Sequence, residues 1–206
     1  GVDVEVDHQR ALEMFTYCAE RGYSPSLTAL AHMYERGKGV ERDINIAIQW
    51  QSRLVDSLKD GAYTGDGDAK YEYILQLSNL ASLHKELIQY DKCIEIYQVF
   101  KDFCTQWSSL DPSKYTPKSM LCLAYNDIGE MYNRMYQYSN ALENYQWALH
   151  YAEEVLVAEQ TAENYNQLVL TYCNIGRCHE DLKDHASALK YYEARLEIIK
   201  IMMDML

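Results

Sequence analysis

The stretch Leu30-Ala31-His32-Met33-Tyr34-Glu35-Arg36-Gly37-Lys38-Gly39-Val40-Glu41-Arg42-Asp43-Ile44-Asn45-Ile46-Ala47-Ile48-Gln49-Trp50 decides the fold. Apolar residues recur at three- and four-residue steps on both sides of Gly37 and Gly39. It therefore reads as helix, sharp glycine turn, helix, with the Asp43 carboxylate placed to cap the second helix. A fainter copy stands earlier, because Gly1, Val4, Asp7 and Ala11 precede Gly37, Val40, Asp43 and Ala47 by 36 positions each. A fixed period of that length marks a stacked repeat protein, whose units bury their apolar faces against their neighbours.

Working outward, Asp7 to Gly22 predicts a helix through Ala11, Met14, Phe15 and Cys18, with Gly22 as its stop. Ser24 is expected to cap the next helix, and Pro25 fits its first turn, where a missing N–H is harmless. The rest of the chain agrees with a helical protein: of 206 residues 48% are hydrophobic, and only three prolines and nine glycines interrupt them. A net charge of −12 disfavours nucleic acid and anionic membranes as partners. No run approaches the roughly 20 apolar residues of a membrane span. The cysteines Cys18, Cys93, Cys104, Cys122, Cys173 and Cys178 lack the dense spacing of a disulfide framework and point to reduced thiols in a cytoplasmic setting.

The order helix, glycine turn, valine, aspartate, helix resembles the Sel-one-like repeat, a short relative of the tetratricopeptide repeat. Leu30, Ala31, Tyr34, Gly37, Gly39, Val40, Asp43, Ala47 and Trp50 carry that resemblance, and Gly37, Gly39, Ala47 and Trp50 take its packing and turn roles. In the earlier copy Met14 stands at the tryptophan position and Asp3 replaces the second glycine.

Residues 60–69, rich in glycine and aspartate, read as a linker or loop. Beyond them three segments align on Ala81, Gly129 and Gly176, spaced 48 and 47 residues apart. A ring follows three positions later at His84, Tyr132 and His179, a small residue twelve positions on at Cys93, Ala141 and Ala188, and a tyrosine four beyond that at Tyr97, Tyr145 and Tyr192. The middle unit is similar to a tetratricopeptide repeat at Tyr125, Ile128, Gly129, Tyr132, Tyr138, Ala141, Tyr145 and Ala148, where small residues admit close helix approach and rings fill the gaps. The spacing exceeds the family's period of about 34 residues, so longer helices are expected. Their approximate pairs are Tyr71–Ile88 with Asp91–Trp107, Lys118–Met135 with Ser139–Glu159, and Ala162–Leu182 with Ala186–Met205, with a loop at Asp111-Pro112.

The resemblance implies an all-α fold, a right-handed α-α superhelix built as a solenoid of antiparallel helix hairpins. The expected organisation is Sel-one-like repeats over 1–59, a linker over 60–69 and three tetratricopeptide-like hairpins over 70–206. The last helix ends in Ile198, Ile199, Ile201, Met202, Met203, Met205 and Leu206, an apolar finish that suggests a further repeat, a partner or a homodimer contact.

No constellation calls for catalysis, a cofactor or a metal. Cys173, Cys178 and His179 do not share a helix face, and His84 and His179 fall at packing positions. The aspartates Asp66 and Asp68 lack the ligand order of a calcium loop. There is no nucleophile elbow, phosphate loop or zinc-binding histidine pair. Most tyrosines fall at packing positions, whereas Tyr136, Tyr165 and Tyr191 fall off the pattern and are expected to be exposed.

In tetratricopeptide arrays the first helix of each hairpin lines the inner groove. The resemblance places Ser78, Ser82, Lys85 and Glu86 there, then Asn126, Glu130, Asn133 and Arg134, then Cys173, Arg177, Glu180 and Asp181. The family's carboxylate clamp is absent, since Ser78, Ser82, Asp127, Leu170 and Asn174 occupy its positions. A mixed-charge groove suits a peptide or helix better than a bare carboxylate. The expected function is a non-catalytic protein-interaction scaffold. The alternatives are a self-assembly module using the apolar C-terminal helix and a sensor for a signalling peptide or small molecule.

Overall fold

The computed structural model describes residues 8–112 and 114–204, and the described residues form helices and turns without a strand. The early copies Gly1, Val4 and Asp7, and the terminal Met205 and Leu206, lie outside them. The helices are α1 (His8–Glu20), α2 (Ser24–Arg36), α3 (Ile44–Thr64), α4 (Gly67–Glu86), α5 (Tyr90–Leu110), α6 (Thr116–Arg134), α7 (Tyr138–Ala158), α8 (Ala162–Asp181) and α9 (His185–Asp204). Helices form over all six segments predicted beyond residue 69, their boundaries within four residues of those expected. Asp111 and Pro112 fall in the α5–α6 loop.

The chain divides into two compact units, residues 1–92 and 93–206. In the first, α1 packs on α2, α2 on α3 and α3 on α4. Ala19, Leu27, Leu30 and Leu54 form one core, with Trp50 packed against them. Ile44, Ala47 and Leu83 form another, with Tyr34 and Ile48 beside them. Asp43 caps α3 as predicted, its carboxylate accepting from the N–H groups of Asn45 at 2.8 Å and Ile46 at 3.1 Å. Ser24 does not cap α2. The residue preceding that helix is Tyr23, which makes no side-chain cap bond, while Pro25 occupies the first turn as expected.

The predicted linker over 60–69 shrinks to Gly65 and Asp66. α3 continues through Thr64 because fully buried Ala62 pins its last turns and Tyr63 meets the Tyr73 ring at 6.5 Å. Asp66 then caps α4 by accepting from the Asp68 and Ala69 N–H groups. The glycines and aspartates therefore serve helix ends, not a flexible tether.

In the second unit α6 packs on α7, α7 on α8, α8 on α9 and α6 on α8. Cys122, Ala148, Ala152 and Leu168 build one core; Ala141, Tyr145, Ile175 and Cys178 build the next. The aligned small residues act as the repeat pattern requires. A methyl group on Gly129 would lie 2.6 Å from the Tyr145 ring, and one on Gly176 would lie 2.5 Å from the Tyr192 ring. Ala81 is buried at the corresponding place, and Cys93, Ala141 and Ala188 are buried at the second small position.

One turn design recurs. In each long hairpin the second residue after the first helix adopts left-handed backbone, and the following N–H reaches back five residues: Gln89 to the His84 carbonyl, Gln137 to Tyr132 and Asp184 to His179. Glycine holds the left-handed place at Gly37, but Ile88, Tyr136 and Lys183 hold it in the longer hairpins. Of the tyrosines expected outside the core, Tyr136 is exposed at 79%. Tyr165 is instead buried at the start of α8, and Tyr191 is half-buried against His179.

Candidate peptide-binding face

The first helices α6 and α8 lie side by side, joined by buried polar side chains that repeat spacing brings opposite one another. Gln167 donates to the Ser119 hydroxyl at 2.7 Å, Asn126 donates to Thr171 Oγ1 at 2.8 Å, and Asn174 donates to Asn126 Oδ1 at 3.0 Å. Thr171 in turn donates to the Gln167 carbonyl at 2.8 Å. Such bonds are strong in a dry contact and costly to leave unmade, so they fix the register of the two helices.

At the end of this ladder the face turns polar and charged. Arg177, an exposed residue, donates from Nη2 to Asn174 Oδ1 at 3.2 Å. Asn133 donates to the Asp181 carboxylate at 3.1 Å. Arg134 forks onto one Glu130 oxygen at 3.0 and 2.8 Å. Glu180 accepts from the Tyr192 hydroxyl at 2.7 Å. Burial, reinforced by this carboxylate, pushes the Tyr192 hydroxyl up to about 12. Burial also raises the Tyr145 hydroxyl, against the opposing pull of the Arg177 guanidinium.

The sequence-derived residues therefore separate into groups. Glu130, Asn133, Arg134, Arg177, Glu180 and Asp181 gather at one end of the α6–α8 face. Asn126, expected to meet ligand, is 4% exposed, with its amide engaged across the helix contact. It is a link between helices. Asn174, one of the clamp positions, is likewise used internally, and Asp127 raises the pKa of buried Tyr97 by charge and hydrogen bonding, after burial itself. Ser78, Ser82 and Lys85 lie on α4 in the first unit, where Ser82 borders a cavity of about 120 Å³ with His32, Glu35, Arg36 and Asn79. The polar ladder was missed because asparagine, glutamine and threonine read as surface residues; the 45- to 48-residue spacings of its partners were the available signal.

Two features lie outside the predicted groove. Between α8 and α9 an apolar cavity of about 450 Å³ is lined by Tyr165, Val169, Ile199, Met202 and Met203, with Ala162 and Asn166 at its edge. A second cavity, of about 260 Å³, opens among α5, α6 and α7 beside Trp147. No described helix is long and apolar enough to cross a membrane.

Comparison with known proteins agrees with this architecture. Residues 1–23 and 24–52 match the Sel1 repeat family model. No curated protein matches the chain. Among solved structures, the crystal structure of MamA superposes with a TM-score of 0.57 at 17% identity, over 96% of this chain and 92% of that one. The apo form of RapI superposes with a TM-score of 0.67 at 11% identity, over 93% of this chain and 49% of that one. The chain thus carries Sel1 repeats at its N-terminal end and shares the tetratricopeptide-like helical-repeat fold of these neighbours. Repeat proteins of this class generally mediate protein–protein contact and are generally non-catalytic.

Proposed function

We propose that the chain is a non-catalytic scaffold whose α6–α8 face holds an extended or helical segment of another protein. The observation that carries this reading is the charged end of that face, where Arg177 and Arg134 stand among Glu130, Glu180 and Asp181 on helices locked in register by buried hydrogen bonds. A face fixed before the ligand arrives loses little further entropy on binding, and mixed charge selects a complementary segment more than it adds raw affinity. Peptides selected by display against the folded chain test the reading. Paired Arg134→Glu and Arg177→Glu substitutions are expected to weaken them by about tenfold or more. Unchanged affinity in the double variant overturns the groove assignment.

The apolar α8–α9 cavity favours a second reading, self-association through the C-terminal helix. Its signature is a molar mass that rises with concentration and returns to the monomer value in a Met202→Glu, Met203→Glu variant.

A further inference from the structure

We infer that the outer face of α8 and α9 is the seat of one amphipathic helix from another protein, which lies along α8 as α8 lies along α6. The internal contact is the template. Gly129 and Gly176 set a register of 47 residues between the two hairpins. In the first of them Cys122, Ala148 and Ala152 form a cup that Leu168 of α8 fills, with Leu149 and Leu156 packed beside it. At the same register on the second hairpin stand Val169, Arg195, Ile199, Leu196 and Met203. The cavity of about 450 Å³ is bounded by Val169, Ile199 and Met203, so it is the same cup with no leucine in it.

A longer stripe repeats the comparison. Leu142, Leu149 and Leu156 of α7 are partly buried against cores that α8 completes. Their counterparts on α9, Leu189, Leu196 and Met203, are 58%, 55% and 68% exposed. The stripe runs about 21 Å along the helix, room for a partner of about four turns. Direction follows from the template too: Ser119 pairs with Gln167 and Asn126 with Asn174, so α6 and α8 run parallel.

The occupant follows from what the seat accepts. Its register is that of a first helix, and a second copy has none to spare. Among the described residues α2, α4, α6 and α8 are each packed on a neighbouring helix, while Ala11 places α1 in register with α3, a second helix. Arg195 sets the charge. It takes the place of Ala148 on the same helix face as Ile199 and Met202, and its Nε is buried without a hydrogen-bond partner. A guanidinium so placed calls for a carboxylate. The partner helix therefore carries a large aliphatic residue for the cup and an acidic residue one turn on, where α8 has Thr171.

This inference uses a face apart from the α6–α8 groove and gives the cavity an occupant other than a second copy, so each reading fails separately. The probe is a labelled peptide copying residues 162–182 with Thr171→Glu, Cys173→Ser and Cys178→Ser, held helical by a lactam bridge on its solvent side. Fluorescence polarisation is expected to show one peptide bound per chain. Leu196→Glu and Arg195→Glu should each weaken it about tenfold or more, with melting curves unchanged for exposed Leu196→Glu and with the Arg134→Glu, Arg177→Glu pair neutral. A peptide with Thr171→Lys should bind the Arg195→Glu chain more tightly than the Thr171→Glu peptide does. The proposal is overturned by absent saturation at about 1 mM, by affinity that survives both variants, by failure of the charge exchange, or by sedimentation that shows a dimer of the chain covering this face and excluding the peptide.

Discussion

At the residue scale the alignment of small residues with rings makes a graded prediction. Gly129→Ala and Gly176→Ala both thrust a methyl group into a tyrosine ring, but Tyr145 is fully buried while Tyr192 is partly open to solvent and can swing away. Gly129→Ala should cost about 1–3 kcal/mol by overpacking, and Gly176→Ala clearly less; urea denaturation of the two variants checks the order. The left-handed positions predict the opposite sign. Ile88 is a β-branched residue with φ near 59° and is 70% exposed, so Ile88→Gly removes strain while giving up little packing. A gain of about 0.5–1 kcal/mol is expected, read as a raised melting temperature. The ring-on-glycine contacts were legible because period and residue size both marked them. The left-handed backbone at Ile88, Tyr136 and Lys183 was not, since nothing in those side chains announces it and only the closed turn imposes it.

At the element scale, the helices of the described residues, and the pairing of α6 with α7 and of α8 with α9, could be read from periodicity because glycine, proline and aspartate punctuate the helices. Asp43 shows the logic working, and Asp43→Ala should cost about 1 kcal/mol by leaving two first-turn N–H groups unmet. The same punctuation misled at 60–69, where a local glycine–aspartate cluster lost to the burial of Ala62 and the capping of α4 by Asp66. Within the proposed binding face, register alone places the charged residues at the end of α6 and α8, whereas the inward turn of Asn126 depends on Thr171 and Asn174, which only the α6–α8 contact brings near. Asn126→Ala should therefore destabilise the second unit more than truncation of solvent-exposed Glu180, a comparison that thermal melts of the two variants can make.

At the scale of the whole chain the thiols form an internal gauge of folding. Cys93, Cys104, Cys122 and Cys178 are buried, while Cys18 and Cys173 are half-buried. Burial raises the Cys104 thiol strongly and pushes Cys122 and Cys178 up to about 11. A thiol reagent at about pH 8 should thus label Cys18 and Cys173 first and reach the other four only on unfolding. Raised native values also mean that the stability these neutral thiols contribute is intact below the unfolded pKa of about 8.5–9. It is lost as pH climbs toward 11, so the melting temperature should fall over that interval. The exchange of Tyr191 for Asn144 at one register position has a consequence of another kind. Tyr191 closes the Tyr172 and His179 pair with its own ring, whereas the middle hairpin carries no ring at that register and turns to Trp147 and Tyr151 to cover Tyr125. Tyr191→Asn should therefore lower the melting temperature, whereas Asn144→Ala, which removes no ring contact, should leave it nearly unchanged.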